Sequence, residues 1–138
     1  MPEIDPAVAE PDRPMPVALI VEEDAGARQQ AAALLEESEL RVIECESAEA
    51  ALSVLQRLGP GIALIQSEVR LPGLIDGVDL ACLVKTHWPQ VNMIVTSGDP
   101  GDRLSGLPDG ATYMPKPWRA LDVLMAAERV LPARSTSA

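Results

Sequence analysis

The chain has 138 residues, enough for one ordinary domain and too few for two. Hydrophobic residues make up 47% of it, and because aromatic residues are scarce we expect an aliphatic core. The net charge of −10 disfavours nucleic acid and anionic membranes as partners, because their phosphates repel acidic surfaces. Neither a long apolar run nor a signal-peptide core is present, so we expect a cytoplasmic protein.

The two ends differ in composition from the rest of the chain. Residues 1–15 are acidic and rich in proline, which predicts a flexible arm, and residues 133–138 predict a disordered tail. The folded domain is expected between them, over residues 16–132. Cys45 and Cys82 lack metal-ligand spacing, and we expect two buried free thiols.

Short apolar runs of the kind expected for buried strands recur along the chain. The predicted strands are Val17–Val21, Leu40–Cys45, Ile62–Ile65, Val91–Val95 and Ala111–Met114. The second run contains Arg41 and Glu44, which suits a strand at the edge of a sheet.

Helical spacing of apolar residues follows four of these runs. The predicted helices cover Ala27 to Leu35, the stretch after an N-cap at Ser47, Val78 to His87, and Trp118 to Leu131. The residues of the last helix expected to face the core are Leu121, Leu124, Met125 and Leu131. Gly98–Gly110 is rich in Gly and Pro, so any helix there is expected to be short or distorted. This alternation predicts an α/β fold with a doubly wound, five-stranded parallel sheet, a flavodoxin-like three-layer sandwich.

Polar residues cluster where the predicted strands end, which is where such sheets bind ligands. They are Glu22, Glu23, Asp24, Glu68, Thr96, Ser97 and Lys116. Clustered carboxylates repel one another, and Mg²⁺ relieves that repulsion through oxygen ligands. A lysine and a hydroxyl group opposite them would suit a phosphoryl group. The alternative is that residues 22–24 are only a solvated run of charge.

Four segments in order resemble the receiver domain of two-component response regulators over about residues 16–131. They are VALIVEEDAGAR, EVRLPG, IVTSG and YMPKPW. The resemblance implies the strand order 2-1-3-4-5 and a single-domain signalling module in a phosphorelay, not an enzyme. It also implies a protein partner such as a histidine kinase, a phosphotransfer protein or a downstream regulator, with a homodimer left open.

The resemblance also assigns a metal site. Glu22 and Glu23 match the acidic pair that holds Mg²⁺ in the family. Glu68 and the backbone carbonyl of Arg70 would complete the ligands.

Further roles follow from the same match. Thr96 matches the hydroxyl residue that turns toward the phosphoryl group, Lys116 the lysine that contacts it, and Tyr113 the switch aromatic residue. The bond between Lys116 and Pro117 matches a cis peptide of the family. Gly77 matches the glycine after the third-strand loop, which is one residue longer than usual here.

The sequence departs from the family pattern at the phosphoacceptor. Glu68 stands four residues before Pro72, where the family has its phosphoaccepting aspartate. Glu68 is expected to imitate a phosphorylated aspartate by reaching Lys116 and Thr96, to leave a silent docking surface, or to accept phosphate slowly. Ser67 is a poor substitute acceptor, because alternation along the strand points its side chain away from the site.

Three other functions are compatible with parts of this pattern. The serious alternative is a pseudo-receiver scaffold that responds neither to metal nor to phosphoryl groups. A Mg²⁺-dependent phosphohydrolase would need a better nucleophile than Glu68. A flavodoxin-like cofactor carrier would need a phosphate loop where Glu22, Glu23 and Asp24 stand.

Overall fold

The computed structural model describes residues 15–131, so the predicted arm, apart from Met15, and the predicted tail lie outside the described residues. The strands are β1 (Val17–Val21), β2 (Arg41–Cys45), β3 (Ile62–Glu68), β4 (Asn92–Ser97) and β5 (Thr112–Pro115). The helices are α1 (Ala25–Glu36), α2 (Ala48–Leu58), α3 (Gly77–His87) and α4 (Ala120–Val130). Short 3-10 segments cover Gly59–Gly61 and Gly101–Gly106.

The strands pair in parallel in the order β2-β1-β3-β4-β5, which confirms the predicted fold class and strand order. β2 lies at one edge, as its charged residues predicted. Because all strands run the same way, their carboxyl ends meet at one edge of the sheet. None of the helices within residues 15–131 is long and apolar enough to cross a membrane.

Two apolar clusters cover the two faces of the sheet. Leu19 and Ile65 belong to the cluster that includes buried residues of α2 and α3. Ile20 and Leu64, their neighbours along the chain, belong to the cluster that includes buried residues of α1 and α4. This alternation is the period of two expected for strands buried on both faces, and it produces three layers.

Side-chain caps fix the starts of α1, α2 and α3. Asp24 accepts a hydrogen bond from the Ala27 amide at 2.8 Å, and Ser47 accepts one from the Ala50 amide at 3.1 Å, as predicted for that N-cap. Asp76 caps α3 in the same way. Each cap satisfies a backbone amide that a helix leaves unpaired at its start.

The connection between β4 and β5 contains only the 3-10 segment Gly101–Gly106, in line with its Gly and Pro content. This segment is attached to α3. Arg103 pairs with Asp76 at 2.7 Å and with Asp79 at 3.1 Å. Lys85 of α3 donates to the Asp109 carbonyl at 3.1 Å, so both ends of the connection are held.

The prediction for the last helix was wrong at two positions. Leu121 and Met125 are 54% and 50% exposed, whereas Val123, Ala126 and Ala127 are buried. The buried positions recur at i, i+3 and i+4, so α4 does present one apolar face. The small alanines allow a close approach to the sheet, and the larger residues are left outside.

Two further predictions need correction. Both cysteines are free, but only Cys45 is buried and Cys82 is exposed on α3. Glu68 does not follow the third strand: it is the last residue of β3, which is longer than predicted. The polar pair Gln66 and Ser67 concealed this length, because both residues are buried inside the strand.

Candidate functional site

The carboxyl edge of the sheet brings four of the predicted site residues together. Glu68 lies beside Thr96 in the register of β3 and β4. Glu22 follows β1 directly, and Lys116 follows β5. All four line a single cavity, although they come from positions as much as 94 residues apart.

Lys116 joins two of these carboxylates. Its Nζ atom forms an ion pair with Oε2 of Glu68 and donates to Oε1 of Glu22 at 3.3 Å. The Glu22 and Glu68 side chains are only 14% and 12% exposed, so water screens their charges poorly. A single ammonium group therefore offsets the repulsion between two carboxylates.

Burial and charge shift the pKa values of this pair in ways that can be separated. Burial raises the pKa of the Glu68 carboxyl, and the hydrogen bond and charge of Lys116 oppose that rise without cancelling it. Burial alone would lower the pKa of Lys116, but the contacts with Glu68 and Glu22 together raise it. The ammonium group thus stays charged through the neutral range.

The residues of the acidic loop after β1 make different contacts. Oε2 of Glu22 accepts a hydrogen bond from the Asp24 amide at 3.0 Å, while the Asp24 carboxylate caps α1. Arg28 donates to the carbonyls of Glu22 and Glu23 at 3.0 and 3.3 Å and pairs with Glu44 at 3.0 Å. Arg28 therefore links the loop after β1 to Glu44 of β2. The Glu23 side chain is exposed and is not among the contacts of Lys116.

The remaining predicted residues surround this centre. Thr96 is buried, and the half-buried Tyr113 donates from its hydroxyl group to the Ser97 carbonyl at 2.8 Å. The peptide bond from Lys116 to Pro117 is cis.

Two residues near Glu68 have other contacts. The Arg70 side chain is exposed and donates to the Asp99 carbonyl at 3.4 Å. The Ser67 hydroxyl donates to the Glu68 carbonyl at 2.9 Å and lies beside Gly77 of α3.

The sequence model of the response regulator receiver domain matches residues 18–128, most of the chain and every element of this site. The chain belongs to the response regulator receiver domain family. This confirms the resemblance drawn from the four segments. Receiver domains act in signalling, are not generally enzymes, and interact with kinases or other proteins.

Solved receiver structures share the fold at low identity. The signal receiver domain of an HD domain-containing protein from Pseudomonas fluorescens Pf-5 has a TM-score of 0.74 at 23% identity, over 84% of this chain and 94% of that one. A receiver domain protein from Clostridium thermocellum has a TM-score of 0.74 at 22% identity, over 84% of this chain and 94% of that one. The receiver domain of NtrX from Brucella abortus has a TM-score of 0.71 at 24% identity, over 83% of this chain and 97% of that one. No curated protein matches the chain.

Gly77 allows the third-strand loop of this receiver to close on the site. Its amide donates to the Val69 carbonyl at 2.8 Å, and a Cβ atom at this position would lie 2.1 Å from the Glu68 carbonyl oxygen. Glu49 steadies the same loop by accepting a hydrogen bond from the Leu74 amide at 2.9 Å. The backbone of Glu68 is thus in direct contact with the start of α3.

Sequence reasoning missed Gln66. It lies two residues before Glu68, on the same face of β3, and lines the cavity beneath the site. It is only 4% exposed, and its Oε1 atom has no hydrogen-bond partner among the described residues. Its polarity ended the predicted strand at Ile65, and only the observed length of β3 shows it to be a polar residue inside a buried strand, where polar groups need partners.

The acidic pocket is where receiver domains typically bind Mg²⁺, but the donors here do not fit that ion. Within residues 15–131, no three acidic, His or Cys side chains are grouped as metal ligands. Both carboxylate oxygens of Glu22 are engaged, and Glu68 is paired with Lys116. The cavity between them measures about 20 Å³, room for one water molecule, whereas Mg²⁺ usually keeps several waters.

Proposed function

We propose that this receiver domain signals in a phosphorelay without aspartyl phosphorylation, because Glu68 imitates the phosphorylated state. The observation that carries the proposal is the ion pair between Glu68 and Lys116. In the family pattern Lys116 is the residue that contacts the phosphoryl group. A glutamate carboxylate that reaches this lysine supplies negative charge where a phosphoryl group would supply it.

The length of Glu68 also argues against acyl phosphate chemistry. One added methylene moves the carboxylate by about 1.5 Å from the place of an aspartate. A misplacement of about 1 Å at a reacting centre can reduce a rate on the order of a hundredfold. Furthermore, the oxygen that would attack a phosphodonor is already paired with an ammonium group, which lowers its nucleophilicity.

The residues around the Glu68–Lys116 ion pair connect its charge to the protein surface. Thr96 lies beside Glu68 in the sheet, and the hydroxyl group of Tyr113 is bonded to the carbonyl of the next residue, Ser97. This bond keeps Tyr113 half-buried. A Tyr113 side chain held half-buried by this bond is what the imitation of a phosphorylated state requires, and we propose a cytoplasmic protein partner that reads this surface.

Intact mass measurement tests whether phosphoryl transfer is impaired. We expect the wild-type chain to gain no adduct from a small phosphodonor with Mg²⁺, and Glu68→Asp to gain one of about 80 Da, the mass of a phosphoryl unit. A stoichiometric adduct on the wild type that disappears in Glu68→Gln would contradict the proposal.

A docking scaffold is the second candidate, and the attachment of the β4–β5 connection to α3 favours it. Arg103 and Lys85 hold that connection independently of Glu68, so a fixed surface would persist without any switch. The two functions differ in their response to Glu68→Gln, and Glu23→Gln, at an exposed acid of the loop after β1, is the matched control. Imitation predicts weaker partner binding and a rotated Tyr113 only in Glu68→Gln, whereas a scaffold predicts no change in either variant.

A further inference from the structure

Lys116 lies between carboxylates that come from the ends of two different strands. It contacts Oε1 of Glu22 at 3.3 Å and forms an ion pair with Glu68, and both carboxylates are largely buried. Buried carboxylates need a counter-ion, because water no longer stabilises their charge. We propose that the Lys116 ammonium takes the place of a divalent cation as the counter-ion of this pair, so that the site assembles without metal.

Carboxylate oxygens of the loop after β1 already accept other hydrogen bonds. Oε2 of Glu22 accepts from the Asp24 amide at 3.0 Å, and the Asp24 carboxylate accepts from the Ala27 amide at 2.8 Å. Recruiting these oxygens to a metal would compete with the hydrogen bond from the Asp24 amide or with the N-terminal cap of α1. The acidic loop is therefore arranged around an ammonium group.

The space beneath the carboxylates suits water better than a hydrated cation. The cavity of about 20 Å³ is large enough for a single water molecule. Gln66 also lines this cavity, and its Oε1 atom lacks a partner among the described residues. A water molecule can donate a hydrogen bond to that oxygen, whereas Mg²⁺ would need an octahedral shell.

Metal binding can be tested separately from the proposed function, because it is measured on the isolated chain with neither phosphodonor nor partner. The chain also supplies a matched control, since Lys85 and Lys116 are its only lysines. Lys85 lies on α3 and donates to the Asp109 carbonyl, away from the carboxylate pair. Replacing either lysine by methionine changes the net charge equally.

Calorimetric titration of the full chain with MgCl₂ and MnCl₂ tests the inference. We expect no saturable binding at millimolar metal for the wild type and for Lys85→Met. Lys116→Met leaves two carboxylates without a counter-ion, so it should bind the cation at least about tenfold more tightly than the wild type. The unfolding temperature of Lys116→Met should then rise with added Mg²⁺, and that of the wild type should not.

Two results would overturn the inference. One is saturable binding of Mg²⁺ by the wild type at submillimolar concentration, accompanied by a change in the fluorescence of Trp118, which lines the cavity. The other is a folded Lys116→Met variant that binds the cation no better than the wild type. If that variant does not fold, Lys116→Gln replaces it and the wild-type titration still decides.

Discussion

At the scale of single residues, Glu68 shows how one methylene group changes the reach of a charge. The glutamate carboxylate contacts Lys116 while its backbone stays in register with Thr96, whereas an aspartate would hold its carboxylate about 1.5 Å closer to the backbone. The consequence is a site in which Glu68 already has a cationic partner before any ligand arrives. The reactivity of the site then depends on whether the ion pair between Glu68 and Lys116 can be broken.

Cysteine reactivity gives a separate check at this scale. Burial raises the pKa of the Cys45 thiol to about 11, so almost no reactive thiolate exists at neutral pH. Cys82 is exposed. We expect one thiol to react with a thiol reagent in the native chain and a second only after unfolding, as counted by absorbance. Cys82→Ser should leave the native chain unreactive, and equal rates for both thiols would contradict this assignment.

Gln66 provides another prediction for a single side chain. We expect a water molecule in the cavity to donate to the Oε1 atom of Gln66, which has no partner among the described residues. Gln66→Met, which is similar in size and apolar, removes that hydrogen bond and should lower the free energy of unfolding by about 1 kcal/mol. Chemical denaturation measures the change. A gain of about 1 kcal/mol would instead show that the amide oxygen is left without a partner.

At the scale of elements, the contact between β3 and α3 depends on the absence of a side chain at Gly77. A Cβ atom there would meet the backbone oxygen of Glu68, which cannot move aside as a flexible side chain would. Gly77→Ala should lower the free energy of unfolding by about 1–3 kcal/mol. In Gly61→Ala the new Cβ atom meets nothing within 4 Å, so it is the control. Equal denaturation midpoints for the two variants would count against the close approach.

The attachment of the β4–β5 connection should make stability depend on pH. Asp76 is partly buried, which raises its pKa, but its hydrogen bonds with Arg103 and with the Asp79 amide outweigh this and hold the pKa below its usual value. A lowered folded-state pKa means that the ionised group stabilises the fold above about pH 4, and that this contribution is lost as the pH falls through the folded-state value.

Asp76→Asn keeps a capping side chain and removes the charge, so it isolates this effect. We expect it to be less stable than the wild type at neutral pH and to converge with it in acid, as followed by denaturation at several pH values. In an Arg103→Met background the same substitution should cost much less. A difference that stays constant from neutral to acidic pH would rule out the ion pair as its cause.

At the scale of the whole molecule, much of the fold could be predicted from the sequence because the strands repeat one simple pattern. Apolar runs separated by capped helices specify a parallel sheet, and a parallel sheet places Glu22, Glu68, Thr96 and Lys116 at one edge. The orientation of α4 could not be predicted, because Leu121 is as apolar as a core residue and only packing against the sheet excludes it.

The pairing of side chains was harder to predict than their location. The contact of Glu68 with Lys116 was one of three expected outcomes, but nothing in the sequence specifies that the same lysine also contacts Glu22, or that Arg103 reaches Asp76 across 27 positions. Such contacts depend on loop paths and rotamers that hydrophobic periodicity does not determine. Gln66 was missed for a related reason, because its polarity ended the predicted third strand at Ile65.

The most direct test of the central claim compares amide NMR spectra of three forms of the chain: the wild type, Glu68→Asp before phosphorylation, and Glu68→Asp after it. If Glu68 imitates a phosphorylated aspartate, the Thr96, Tyr113 and Lys116 signals of the wild type should lie close to those of phosphorylated Glu68→Asp. Wild-type signals that coincide instead with unphosphorylated Glu68→Asp and with Glu68→Gln would contradict the account.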